Sequence, residues 1–336
     1  MLRLAIVRHD RINEWDITTF SSIANDDIEV YACGTKPVNV PNVIPFVYSQ
    51  PWQVLEEINP DVIDVADPHY EWAQYFVKRH AYVVISAWDN LLGKNHDTYS
   101  KGVMKHAWKF VARTRMIHDA LVWDGVPEEK IAVVPAAVDT EEFQPLPLER
   151  REDAVFFCGR VVPEKGLKDL IWAMKGISAA LWVAGEVSED DRDFYNMWAF
   201  RSGVNIEWLG FLTRTEMAER MRRAKIFSCP SYPLGSRDPF GEWLEQFGQV
   251  FIEALASGTP VVSTSCGGPG EIVIHGQTGW LVPARMWNLL HQGIGGLLLN
   301  PSVWRAYSEK ARKDALKRFS ARSVGERLRE IYFNEP

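Results

Sequence analysis

The sequence predicts an α/β protein built from two successive β/α domains, and three observations carry that reading. The chain has 336 residues, which is room for two cores at roughly 150 residues per domain. Short apolar runs rich in Val and Ile recur with helical patterns between them, the mark of parallel strands covered on both faces. Near the middle, 144–153 (Gln-Pro-Leu-Pro-Leu-Glu-Arg-Arg-Glu-Asp) lacks apolar periodicity and reads as a linker.

In the first half the apolar runs are 2–7, 29–33, 62–66, 82–86, 110–114 and 131–135. The first breaks into charge at Arg8, so a strand is expected there rather than a signal peptide. Beyond the linker the runs are 154–159, 180–185, 206–210, 226–230, 260–265 and 279–283. The helix after 154–159 is marked by Leu167, Leu170, Ile171 and Met174 at i, i+3, i+4 and i+7. A last helix is expected over the tail, with Val324, Leu328, Ile331 and Tyr332 on one face. The domains are therefore 1–147 and 148–318, with the tail 319–336 beyond them. Ligands of such sheets bind outside the carboxyl ends of the strands, so the loops after the strands are where chemistry is expected.

Composition narrows the function. Hydrophobic residues are 46% and charged residues 24%, which excludes a disordered, collagen-like or coiled-coil chain. Lys plus Arg is 37 and Asp plus Glu 44, a net charge of −7; no nucleic-acid partner is expected without a basic footprint. Cys33, Cys158, Cys229 and Cys266 are far apart, without a C-x-x-C pair. They read as free core thiols in a reducing compartment. No stretch approaches the roughly 18 apolar residues of a membrane span, so the expected location is cytoplasmic, or at most peripheral on a membrane. The basic stretch 101–115, interleaved with apolar residues, reads either as a surface for anionic lipid or as a helix and strand with solvated lysines. The 14 tryptophans, spread over both halves, read as core and groove residues rather than sugar platforms.

Three blocks carry chemistry. In 157–167, a strand ends at Gly159, Arg160 and Lys165 stand five apart, and a helix starts after Gly166. Two cations and the amides of a helix N-terminus make an anion site; an ordinary strand–helix connection has the same outline. In 245–260, Phe247, Val250, Phe251, Ala254 and Leu255 form an apolar helix face, and Gly258 suits its end. Glu245 and Glu253 flank this helix, about 12 Å apart along its axis if both were helical. That is too far for a hydrolase carboxylate pair; it suits the two ends of one extended ligand, or a purely structural role as helix-dipole complement and surface Glu. In 265–273, a strand runs into Gly267-Gly268-Pro269-Gly270 and a short helix, so that backbone approaches closely either a ligand or a neighbouring element.

These blocks, in this order and spacing, resemble the group 1 retaining glycosyltransferases of GT-B fold. Its G-R-x-x-x-E-K-G pattern matches 159–166, and its P-S matches Pro230-Ser231, ahead of an insertion at 232–244. Its E-x-F-G-x-x-x-x-E-A-x-A-x-G-x-P-V-V matches 245–262, and its G-G-x-x-E-I-V matches 267–273. The resemblance is dense over 125–283 and diffuse before it. It implies two Rossmann-like domains facing across a cleft, with the acceptor on the first, the donor on the second, and the last helix crossing back to the first.

By the same resemblance, Arg160 and Lys165 bind the diphosphate of a nucleotide-sugar and Gly159 borders it. Glu253 holds the ribose, and Glu245 contacts the donor sugar with the amides of Phe247 and Gly248. Phe211 and Leu212 border the base. The reaction implied is transfer to an acceptor hydroxyl with retention, in glycan or glycolipid synthesis. The acceptor is a sugar or is lipid-linked, the nucleotide-sugar is a co-substrate, and neither cofactor nor metal is called for. Two positions depart from the family. The loop after the first strand, Arg8-His9-Asp10-Arg11-Ile12-Asn13, has no glycine, and Trp88 stands on the acceptor side where many members carry a His. His69 is not assigned the missing role. A sugar-nucleotide-binding protein that has lost catalysis is the alternative.

Overall fold

The computed structural model describes residues 1–8, 14–36, 42–66, 71–88, 98–233 and 244–333. It divides into two units, one formed by Met1–Ala137 with Phe319–Pro336, the other by Val138–Arg318. The sequence placed the junction ten residues later, at 147/148. Residues 138–147 join the second unit because its arginines take their carbonyls. Arg312 donates from Nη1 to Phe143 O at 2.8 Å and from Nη2 to Thr140 O at 3.0 Å, and Arg151 Nε donates to Leu146 O at 3.0 Å. Phe143 is fully buried. A proline-rich stretch without periodicity can thus be firmly held, through side chains distant in sequence.

The first unit is one parallel sheet of seven strands. They are β1 (Leu2–Val7), β2 (Ile28–Gly34), β3 (Ile44–Val47), β4 (Val62–Ala66), β5 (Val83–Ala87), β6 (Lys109–Ala112) and β7 (Ile131–Val133). Their order is β3-β2-β1-β4-β5-β6-β7. Six of them were legible as apolar runs. The seventh, β3, is four residues with Pro45 inside, tolerable because the strand lies at the edge. The helix Ala321–Phe333 belongs to this unit and buries Val324, Leu328 and Tyr332 among Leu4, Ile6, Phe20 and Val30. It approaches so closely that a Cβ at Gly325 would stand 2.2 Å from Ser22 Oγ.

Beneath this helix lies a buried polar network. Arg8 donates to Asp64 Oδ1 at 2.9 Å and to both carboxylate oxygens of Asp16. Asp64 Oδ2 accepts from Ser86 Oγ at 2.7 Å and from Tyr332 OH at 2.8 Å. Burial works against the Arg8 charge, and the two carboxylates outweigh it, so its pKa is raised. Arg8 is therefore committed inside the unit. The rest of that loop, 9–13, and His69 lie outside the described residues. The stretch 101–115 forms the helix Thr98–His106 and β6. Its apolar Val103, Met104 and Ala107 are in the core, while Lys101 and Lys105 point outward. Among the described residues, no helix is long and apolar enough to cross a membrane.

The second unit is a parallel sheet of six strands. They are β8 (Glu152–Cys158), β9 (Ala180–Ala184), β10 (Ile206–Gly210), β11 (Ala224–Phe227), β12 (Val261–Thr264) and β13 (Gly279–Val282). Their order is β10-β9-β8-β11-β12-β13. The reversal between β8 and β11 is a topological switch point, where the loops after neighbouring strands part and leave room for a ligand. The helix Leu167–Ala173 buries Leu167, Leu170 and Ile171, the positions its periodicity marked. All four cysteines are free thiols.

Candidate functional site

The loops at the carboxyl ends of β8, β9, β10 and β11 are drawn together by glycines. Gly159 N donates to Ala184 O at 3.1 Å, and Gly185 N donates to Gly210 O at 2.8 Å. A Cβ on Gly185 would lie 1.9 Å from Gly159 O, so only glycine allows this approach. After Gly159 comes the exposed Arg160, then a 3₁₀ turn Pro163–Lys165. Gly166 follows at φ +74, where a Cβ would stand 2.1 Å from Pro230 O. The turn thereby rests on the end of β11, and Tyr232 N donates to Glu164 O at 2.9 Å.

That seat aims Lys165 at Glu245, and Nζ forms an ion pair with the carboxylate. Both side chains are largely buried but reach solvent, at 13% and 15% exposure. Burial alone would lower the Lys165 pKa; Cys229 and Glu245 outweigh it and raise it, with Arg160 near enough to oppose them. Burial pushes the Cys229 thiol up to about 11, so it is neutral at neutral pH.

Glu245 does not sit on a helix, contrary to the spacing argument. The helix is Gln249–Ala256, and Gly248 before it is left-handed at φ 90, which breaks the helical path. The 12 Å helical distance between Glu245 and Glu253 therefore does not apply. Its N-cap, Gly248, offers no side chain to the first turn, and Phe251 N donates to Gly248 O at 3.0 Å. Phe247 and Gly248 are buried.

The glycine-rich turn serves this segment. Gly268 N donates to Glu245 O at 2.7 Å. A Cβ at Gly267 would meet Glu245 O at 2.3 Å, and one at Gly268 would meet Phe247 O at 2.1 Å. Of the two readings of those glycines, close approach to a neighbouring element is the one the structure supports.

Glu253 is buried inside the helix at 2% exposure, with Arg214 Nη1 4.0 Å from its Oε1. Arg214 also pairs with Glu142. Sequence reasoning missed Arg214, although a signal existed. Thr213 and Glu216 form a capping box that makes Arg214 the first residue of the helix Arg214–Arg223. A cation at the positive end of a helix dipole calls for carboxylates nearby. Phe211, 78% exposed, and the half-buried Leu212 lead into this helix from β10.

The structure thus gathers Gly159, Arg160, Lys165, Glu245, Phe247, Gly248 and Glu253 in the second unit, with Phe211 and Leu212 at its β10 end. Trp88 belongs to the first unit, at the end of β5, with the Arg113 guanidinium 4.2 Å over its ring. Such a surface, with the cations of Arg160 and Lys165 and a buried carboxylate beyond them, suits a ligand that is anionic in one part and hydroxylated in another.

Comparison with known proteins agrees. The glycosyl transferases group 1 family model matches residues 138–314, more than half the chain, and the glycosyltransferase family 4 model matches 17–142. An uncharacterized glycosyltransferase of Methanocaldococcus jannaschii is 27% identical over 226 residues, 61% of this chain and 54% of that protein. A GDP-mannose-dependent alpha-(1-6)-phosphatidylinositol monomannoside mannosyltransferase of Mycobacterium tuberculosis is 28% identical over 191 residues, 52% of this chain and 48% of that protein. The chain spans about half the length of the curated relatives it matches.

Among solved structures, Anabaena HepE with UDP and glucose superposes with a TM-score of 0.74 at 18% identity, covering 98% of both chains. A Rickettsia africae glycosyltransferase gives 0.79 at 16%, covering 99% of both. Those likenesses establish the fold, the two parallel sheets of GT-B glycosyltransferases. With the family model matching residues 138–314 of the second unit, the chain belongs to the group 1 glycosyl transferases.

Proposed function

We propose that the chain transfers a sugar from a nucleotide-diphosphate sugar to an acceptor hydroxyl, with retention at the anomeric carbon and without a metal ion. The observation that carries the reading is the Lys165–Glu245 ion pair, with the helix Gln249–Ala256 starting four residues after Glu245. Bound diphosphate takes the Lys165 ammonium from Glu245, and Arg160 and the helix amides supply the remaining donors. Glu245 is then released to accept hydrogen bonds from sugar hydroxyls. Glu253, set deeper beside Arg214, accepts from the ribose hydroxyls.

In the reaction the bond from the anomeric carbon to the diphosphate oxygen breaks and the bond to the acceptor oxygen forms on the same face. The acceptor proton passes to the departing diphosphate. Negative charge grows where Arg160, Lys165 and the helix dipole stand, so fixed cations and amides do the work a divalent ion would do. The proposed donor class rests on the cations beside Glu245 and on the buried Glu253. The base and sugar are left open by the relatives, one named for GDP-mannose and one structure carrying UDP and glucose.

The test is product formation from labelled nucleotide-sugars offered to a panel of sugar and lipid-linked acceptors, in excess chelator. Transfer that persists supports the reading. Loss that Mg²⁺ or Mn²⁺ restores overturns the metal-independent step. Tight donor binding without product for any acceptor favours the non-catalytic alternative.

A further inference from the structure

The helix Glu189–Ser202, in the second unit, breaks the rule for a surface helix. Its inward face buries Tyr195 and Ala199, so its outward face should be polar. Instead Phe194, Met197 and Phe200 point outward at three-residue intervals, with Phe200 88% exposed. The aromatic surface continues from Phe194 through Trp198 and Trp172 to Trp287, with successive ring centroids 5.4 to 6.3 Å apart. Contiguous apolar surface of this kind marks an interaction site.

We propose that this face is a homodimer interface, in which the helix packs antiparallel against its own copy about a two-fold axis through Met197. The argument is self-complementarity. In an isologous contact, residue i meets residue j and j meets i. Around Met197, Phe194 falls opposite Phe200 of the second copy, and Asp193 falls opposite its Arg201. The first turn is acidic, with Glu189, Asp190 and Asp191, and the last turn carries the basic Arg201. Antiparallel pairing therefore sets opposite charges and opposite dipole ends together, whereas parallel pairing opposes like ends. The outward positions 190, 194, 197 and 201 alternate by four and three, the spacing that keeps one seam facing a partner helix. An anionic membrane is the poorer occupant, because the acidic first turn borders the patch and would be repelled.

The experiment is sedimentation equilibrium on the intact chain, from about 1 to about 100 μM, a range in which a modest specific interface populates dimer. The wild type should sediment as a dimer at the top of the range. Phe200→Glu, at a position too exposed to matter for folding, should weaken association at least about 100-fold, because each copy contributes this ring to the contact. Asp193→Arg and Arg201→Asp should each weaken it, and the two together should restore it. A wild type that stays monomeric, or a Phe200→Glu variant that dimerises as well as wild type, overturns the interface. Failure of the double exchange to restore association overturns the antiparallel register. A monomer that floats with phosphatidylglycerol vesicles in a Phe200-dependent manner makes the face a lipid surface instead.

Discussion

Two ion-pair networks, one in each unit, lie at different depths. In the first, Arg8, Asp16 and Asp64 are below 5% exposed and are knit together with Ser86 and Tyr332. In the second, Lys165 and Glu245 sit at the mouth of the sheet and reach solvent. The first arrangement is closed, since each charge answers another within the unit and the last helix seals it through Tyr332. The second is exchangeable, since an incoming anion can replace the Glu245 carboxylate on Lys165. In the proposed function the pair that reaches solvent is the one that meets the diphosphate, while the buried one holds the fold.

The sharpest way to break this contrast is Asp64→Ala. It strips Arg8, Ser86 and Tyr332 of a shared partner inside the core, and removing one partner of a buried pair costs about 3–5 kcal/mol. Chemical denaturation should show that loss, while turnover per folded molecule stays near wild type. A stable variant with impaired turnover would reverse the roles assigned to the two networks.

Lys165→Ala should behave in the opposite way. Removing one well-placed donor to developing charge costs about 10²–10³ in rate. Little packing is lost from a short turn at the sheet's mouth, so the denaturation midpoint should move slightly. Arg160→Ala, at an exposed position, should move it less still. Unchanged turnover in the folded double variant would remove this loop from the reaction.

A finer comparison lies within the second unit, between its two carboxylates. Glu253→Gln should weaken nucleotide and nucleotide-sugar alike, by the about 1.5–3 kcal/mol of a charged hydrogen bond. Glu245→Gln should leave free nucleotide binding close to wild type while turnover falls. Calorimetry with nucleotide alone separates them, and equal losses would show that the sugar and ribose ends are wrongly assigned.

Much of this was legible in the sequence, for physical reasons. Strands buried on both faces write themselves as apolar runs, so six of the first unit's strands and the whole second sheet could be read. The edge strand β3 could not, because a short exposed segment with Pro45 carries no such run. The motif residues were found because glycines and charges stand at fixed spacing, yet their three-dimensional logic was hidden. Gly267 and Gly268 pack on the backbone of Glu245 and Phe247, a contact between segments more than twenty residues apart. Arg214 was missed because its partners, Glu142 and Glu253, are each about 40 or more residues away. Spacing along one element is visible in a sequence, whereas meetings between elements are not.

The smallest expected effect is in alkali, and it also separates the two units. Lys165 has a raised pKa in the folded chain, against about 10.4 when unfolded. Below the unfolded value both states carry the proton and the Glu245 pair contributes its full stability. As pH rises through the folded value the ammonium is lost, and the contribution goes with it. Arg8, also raised, keeps its charge across the accessible range, so the first unit's network has no such alkaline midpoint. The readout is the stability of wild type minus that of Lys165→Met, followed from about pH 8 to about pH 11.5, on either side of the ordinary lysine value. Cys229, held up to about 11 by burial, is lowered by Lys165 and so titrates differently in the two proteins, and the comparison is repeated with Cys229→Ser in both. The pair reaches solvent, so the difference should be no more than about 1 kcal/mol. It should be constant on the neutral side and shrink only above about pH 10. A difference that instead shrinks toward neutral pH would mean that Lys165 loses its charge early, and the raised pKa, with the anion-ready ammonium it implies, would be wrong.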